Sequence, residues 1–162
     1  MSELTVANTD WEVVDDVKEA LEKAAVSGVA VFERVSVTAS EQQAEEVEYA
    51  ESPIAIVRYA DTAQLWLADG EYGCFVSLVI HVAAKKATEG ERIEEGLRLK
   101  NAVVNAIETD PPANASGWGG EGQYHKNIEW GTPAIDARER EPWVRVNIPV
   151  EVGFKLASAT SH

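Results

Sequence analysis

The stretch YGCFVSLVIHVAAKKATEGERIEEGLRLKNAVVNAI, residues 72–107, decides the fold, because it sets the chain's longest apolar run directly before its clearest helical pattern. Phe75, Val76, Leu78, Val79, Ile80 and Val82 are rich in β-branched and aromatic side chains and follow the turn residues Asp69, Gly70 and Gly73. The run is too short for a membrane span and predicts a buried strand. Beyond Lys85-Lys86 the period changes. Ile93, Leu97, Asn101, Val104 and Ile107 recur every three or four residues, which predicts an amphipathic helix with these residues turned inward and Pro111-Pro112 ending it. Burying Ile93, Leu97, Val104 and Ile107 contributes roughly 1.5–3 kcal/mol each, against about 1 kcal/mol lost at the internal Gly96 relative to alanine, so packing outweighs propensity.

Upstream, Thr9 and Glu12 have the spacing of a capping box and open a helix through Trp11, Val14, Val17, Leu21 and Ala24 that Ser27-Gly28 ends. Val29, Val31, Val35 and Val37 then keep the two-residue period of a half-buried strand, interrupted at Glu33, which suggests an edge or a bulge. Residues 39–51 are glutamate-rich and read as a mobile loop or a short acidic helix, the loop being favoured. Ile54 to Tyr59 and Leu65 to Leu67 are strand-like and lead as a meander or hairpin into the central strand.

Downstream, residues 110–127 form a long Gly-, Pro- and aromatic-rich connection, a length that is usually functional or disordered. Pro142 to Leu156 alternates as one long strand, and Pro149 within it predicts a sheet edge or bulge there. The expectation is a single α+β domain over residues 9–156, mainly antiparallel sheet with two helices on one face, and flexible termini at 1–8 and 157–162.

The 162 residues carry a net charge of −14, unevenly placed: 16 acids and 4 bases in residues 1–81 (−12) against 12 acids and 10 bases in 82–162 (−2). Such a field repels nucleic acid and anionic lipid. It serves either solubility alone or an acidic wall that must not hold a passing polyanion. The N-terminus lacks the basic and apolar regions of a signal peptide, so a cytoplasmic protein is expected, and the lone Cys74 reads as strand packing.

Gly117, Gly119 and Gly122 spell a dinucleotide fingerprint but lack its strand-before, helix-after context. Glu121, His125 and Glu129 have helical metal-face spacing in a stretch whose glycines oppose a helix. Ser77 and His81, four apart on one strand, stand roughly 13 Å from each other, beyond hydrogen-bond reach. The reading is therefore a non-enzyme with no cofactor, no metal and no catalytic residues. Trp118, Tyr124 and Trp130 either fold back on the core or form a contact surface, as Trp and Tyr dominate interface hot spots. With at least part of the Pro142–Leu156 strand read as an edge, this strand or the adjoining 110–130 loop is the expected subunit interface, with Trp118 and Trp143 as anchors. The alternative is a small-ligand module or enzyme using the 110–130 loop as a lid.

This layout resembles the tail-terminator and tail-completion proteins of long-tailed bacteriophages and prophages. The resemblance is carried by the N-terminal helix, the Ser52-Pro53-Ile54-Ala55-Ile56-Val57 strand start, the strand–helix pair 72–107, the Trp130-Gly131-Thr132-Pro133 turn and the closing Pro142-Trp143-Val144-Arg145-Val146 strand. The acidic insertion at 39–51 departs from the family pattern. The resemblance implies a structural α+β subunit that forms a closed homo-oligomeric ring. That ring would contact tail-tube and head-connector proteins, in the host cytoplasm during assembly and in the virion tail afterwards.

Overall fold

The computed structural model describes residues 9–40, 53–66, 72–109, 126–139 and 141–156. Both expected flexible termini, most of the acidic segment and the 110–125 loop, with Trp118, Tyr124, Glu121 and His125, lie outside the described residues. In chain order the elements are α1 (Thr9–Glu22), β1 (Ala25–Val26), β2 (Val29–Ala30), β3 (Arg34–Thr38), β4 (Ile54–Trp66), β5 (Tyr72–Lys85), α2 (Glu89–Thr109), β6 (Lys126–Trp130), β7 (Ala134–Asp136) and β8 (Trp143–Leu156). The main sheet runs β3-β4-β5-β8-β6, with β7 also on β8, and only the β3–β4 pair is parallel. The fold is α+β with a mainly antiparallel sheet.

Both helices cover one face. Val13, Val14, Val17 and Leu21 of α1 and Leu99, Val103 and Ile107 of α2 join Val57, Leu78, Ile80, Val82, Val146 and Ile148 in one buried cluster. Ile54, Ile56 and Ala83 form a second buried cluster on the opposite face, as strand alternation requires of residues one position out of step.

Three expectations need correction. The first concerns α2, whose buried residues are Arg92, Glu95, Gly96, Leu99, Val103, Ala106 and Ile107. Ile93 and Leu97 instead stand 44% and 42% exposed. The helix carries two overlapping apolar stripes, and the one turned inward centres on Gly96, which lets the backbone come close. A Cβ there would lie 2.9 Å from Val144 Cγ2 and 3.1 Å from Ile135 Cγ2. The helix also starts at its own capping box: Thr88 Oγ1 accepts from the Glu91 amide at 3.1 Å and donates to Glu91 Oε1 at 2.9 Å.

The second concerns Pro142–Leu156. β8 is an interior strand, paired with β5 along its whole length and with β6 and β7 on its other side. Pro149 O accepts from the Gly131 amide at 2.9 Å, so the proline's nitrogen also faces that side, where β6 has ended and β7 has not begun. Its missing N–H falls in a gap between ladders rather than at an open edge. The third is the supposed strand at 29–37. It is a two-residue hairpin followed by a separate edge strand, because Ser27 and Gly28 hold φ of 53° and 79° and form the hairpin turn.

Candidate assembly surfaces

The candidate contact residues that are described do not converge. Trp130 closes β6 on the helix-covered side, packs against the core and donates its Nε1–H to Glu108 Oε1 at 2.6 Å. Trp143 opens β8 on the opposite face, half-buried, with the Lys85 ammonium 5.5 Å from its ring centroid.

What the structure gathers instead is two apolar surfaces at opposite lateral edges of the sheet. At the β3 edge, Trp11, Val14, Val37, Ala39 and Tyr59, with the polar Asp10 and Thr38, line an open groove of about 510 Å³. Trp11 is 57% exposed. It stands on the side of α1 that faces this edge, whereas Ala20 and Ala24 on another side of α1 line a cleft with Ala102 and Ala106 of α2.

The other surface is the displaced stripe of α2. At 100° per residue, Ile93, Leu97 and Val104 share a flank turned away from Ala102 and Ala106, hence away from α1. Glu108 lies on the same flank and reaches Trp130 of β6, which fixes this side above the β6/β7 edge. Lys100, half-buried, sits beside the stripe.

The face opposite the two described helices carries a polar row. His81, 6% exposed, accepts on Nε2 from Arg58 Nε at 3.1 Å and lies 2.7 Å through Nδ1 from Asn147 Oδ1, which also accepts from Arg145 Nε at 3.3 Å. Arginine can only donate, so Nε2 must be unprotonated and the ring proton sits on Nδ1, donated to Asn147. With both ring nitrogens engaged, His81 ties β4, β5 and β8 together and is not poised as a general base for Ser77. A long-range nitrogen–proton NMR correlation is expected to report a neutral His81 protonated on Nδ1. Protonation on Nε2 would overturn the row as described.

No protein-family model matches the chain, and no characterised protein matches its sequence significantly. Among the described residues no group of three His, Cys, Asp or Glu side chains is placed to hold a metal ion, and no helix is long and apolar enough to cross a membrane. Sequence reasoning missed both apolar surfaces. The α2 stripe was visible but assigned to the core, and the groove needs α1, β3 and β4 brought together. A sign of the stripe lay in the helix itself, which has more large aliphatics than one face can bury.

Proposed function

We propose that the chain is a non-enzymatic structural subunit of a phage or prophage tail, of the tail-terminator or tail-completion kind, closing into a ring at the head–tail joint. The observation that carries this reading is the pair of unlike apolar surfaces at opposite edges of one sheet: the Trp11 groove at the β3 edge, and the Ile93–Leu97–Val104 flank of α2 at the β6/β7 edge. A subunit in a closed ring with more than two members meets one neighbour through one surface and the next through a different one. The layout of helices and strands that resembles the tail-terminator proteins adds to it, as does the acidity of residues 1–81. Lining a conduit, that acidity keeps DNA phosphates from adhering.

Negative-stain microscopy and light scattering, with and without tail-tube protein, test the reading. Closed rings, formed alone at raised concentration or on the tube end, are the expected result. A chain that stays strictly monomeric and ignores tail-tube protein overturns it. A thermal-shift screen against metabolites and metals serves the competing ligand reading, because a ligand at 100 times its dissociation constant adds about 2.7 kcal/mol.

A further inference from the structure

We infer that His81 is a proton-operated latch: the side-chain bond that ties β4 to β5 through Arg58 exists only while the imidazole carries one proton, and a second proton opens it. The latch belongs to the sheet itself and stands apart from the ring reading.

One lone pair decides it. Arg58 Nε lies 3.1 Å from His81 Nε2. A guanidinium has no acceptor, so this bond uses the Nε2 lone pair, the same site that a second ring proton would occupy. The other ring nitrogen cannot take that proton instead. Nδ1 lies 2.7 Å from Asn147 Oδ1 and already bears the single proton, which it donates there. Arg145 Nε reaches the same amide atom at 3.3 Å, and a second donor on that atom marks it as the oxygen rather than the nitrogen of the amide. Proton and guanidinium therefore compete for one position, and each excludes the other whatever else touches either side chain.

The charged groups around the ring weigh on the same side. In register, His81 stands between Ile56 of β4 and Asn147 of β8, with Val79 and Ala83 beside it along β5. Among the described residues, the charged side chains nearest in register on this face are Arg58 of β4, Arg145 of β8, Arg34 of β3 opposite Ile54, Lys85 at the end of β5, and Asp136 of β7 opposite Arg145. Four of these are cations and one is a carboxylate. Asp61 and Glu151 flank Ser77, roughly 13 Å farther along β5. At 6% exposure, the ring also has little water to which it could turn a second N–H.

The latch opens on one side only. The Nδ1–H bond to Asn147 is the same with one ring proton or two, so acid leaves β5 tied to β8 and frees Arg58 alone. β4 is the strand that joins the edge strand β3 to the rest of the sheet. Acid should therefore loosen the β3–β4 side first.

NMR titration of the nitrogen-15-labelled full chain from about pH 8 to about pH 5, the range in which imidazole titrates, tests this. At the upper end, a scalar coupling across the Arg58 Nε–H···Nε2 bond is expected, with one proton on the His81 ring. The coupling should vanish as the second proton arrives. Arg58→Met supplies the reciprocal measurement, because removing one competitor must raise the affinity for the other. In that variant His81 should take its second proton at a pH about one unit higher, a tenfold gain in proton affinity. No coupling at the upper end, a coupling that outlives the second proton, or a bond intact down to the lower end each overturns the latch. An unchanged midpoint in a folded Arg58→Met overturns it as well. If circular dichroism shows that variant unfolded, the wild-type titration decides by itself.

Discussion

Arg92→Leu is expected to lower stability by about 3 kcal/mol, the scale of losing several hydrogen bonds donated by one charged side chain. The Arg92 side chain is 3% exposed and serves four acceptors: Ala137 O at 2.7 Å, Lys86 O at 3.2 Å, Ala87 O at 3.1 Å and Glu141 Oε1 at 3.1 Å. The carboxylate is the minor partner, because the Glu141 side chain is 64% exposed and water screens it. The three carbonyls matter more. They belong to the β5–α2 turn and to the segment after β7, so one guanidinium holds the start of α2 against the approach to β8. Removing it strips a charged donor from each; Lys86 and Ala87 are exposed and Ala137 is half-buried, so water replaces part of what is lost and the net cost is about 1 kcal/mol per bond. For a chain of this length the melting temperature should fall by roughly 10 °C. Arg92→Lys should recover less than half of the loss, since an ammonium cannot span acceptors arranged for a planar fork. A melting temperature within about 2 °C of wild type for Arg92→Leu would show that the clamp contributes little.

Arg92 also shows why one helix of this protein is legible in sequence as an element but not as a surface. Period and proline punctuation locate α2. Its inward face, however, begins with Arg92 and Glu95, and a charged pair at those positions makes the face look solvated. Both charges are matched locally, Arg92 by the acceptors just named and Glu95 by Arg98 and by Lys86 Nζ at 3.7 Å. The pattern of large aliphatics therefore points to Ile93 and Leu97, the exposed flank. The same limit applies to β8. Its alternation is plain, and Val144, Val146, Ile148, Val150 and Val152 are indeed buried. Yet whether a proline marks an edge depends on which neighbour its nitrogen faces, and that is set by where β6 and β7 stop. The polar row is the extreme case: Arg58, His81 and Asn147 each look like isolated interruptions, and only register across three strands joins them.

Gly96→Leu is expected to cost about 3 kcal/mol or more, at the upper end of overpacking effects, because its side chain would enter a contact that already has no room for a Cβ. The atoms in the way are Val144 Cγ2 at 2.9 Å and Ile135 Cγ2 at 3.1 Å, with Val146 Cγ2 at 3.5 Å. All three belong to β-branched side chains with little rotamer freedom, and Val144 and Val146 are fully buried, so relief requires the helix to lift from the sheet. Gly96→Ala sets two effects against each other. Alanine gains about 1 kcal/mol in helix propensity, while a methyl group forced against Val144 costs about 1–3 kcal/mol, so the net result should be neutral to destabilising. At Gly90, in the first turn of the same helix, an added Cβ would meet nothing within 4 Å. There the propensity gain is unopposed, and Gly90→Ala should stabilise by about 0.5–1 kcal/mol. Urea denaturation of the three variants would measure this directly. The expected sign is positive for Gly90→Ala, zero or negative for Gly96→Ala and strongly negative for Gly96→Leu. Equal stabilisation by alanine at both glycines would mean that α2 does not rest on β8 through Gly96, and the exposed position of Ile93 and Leu97 would then have to be abandoned with it.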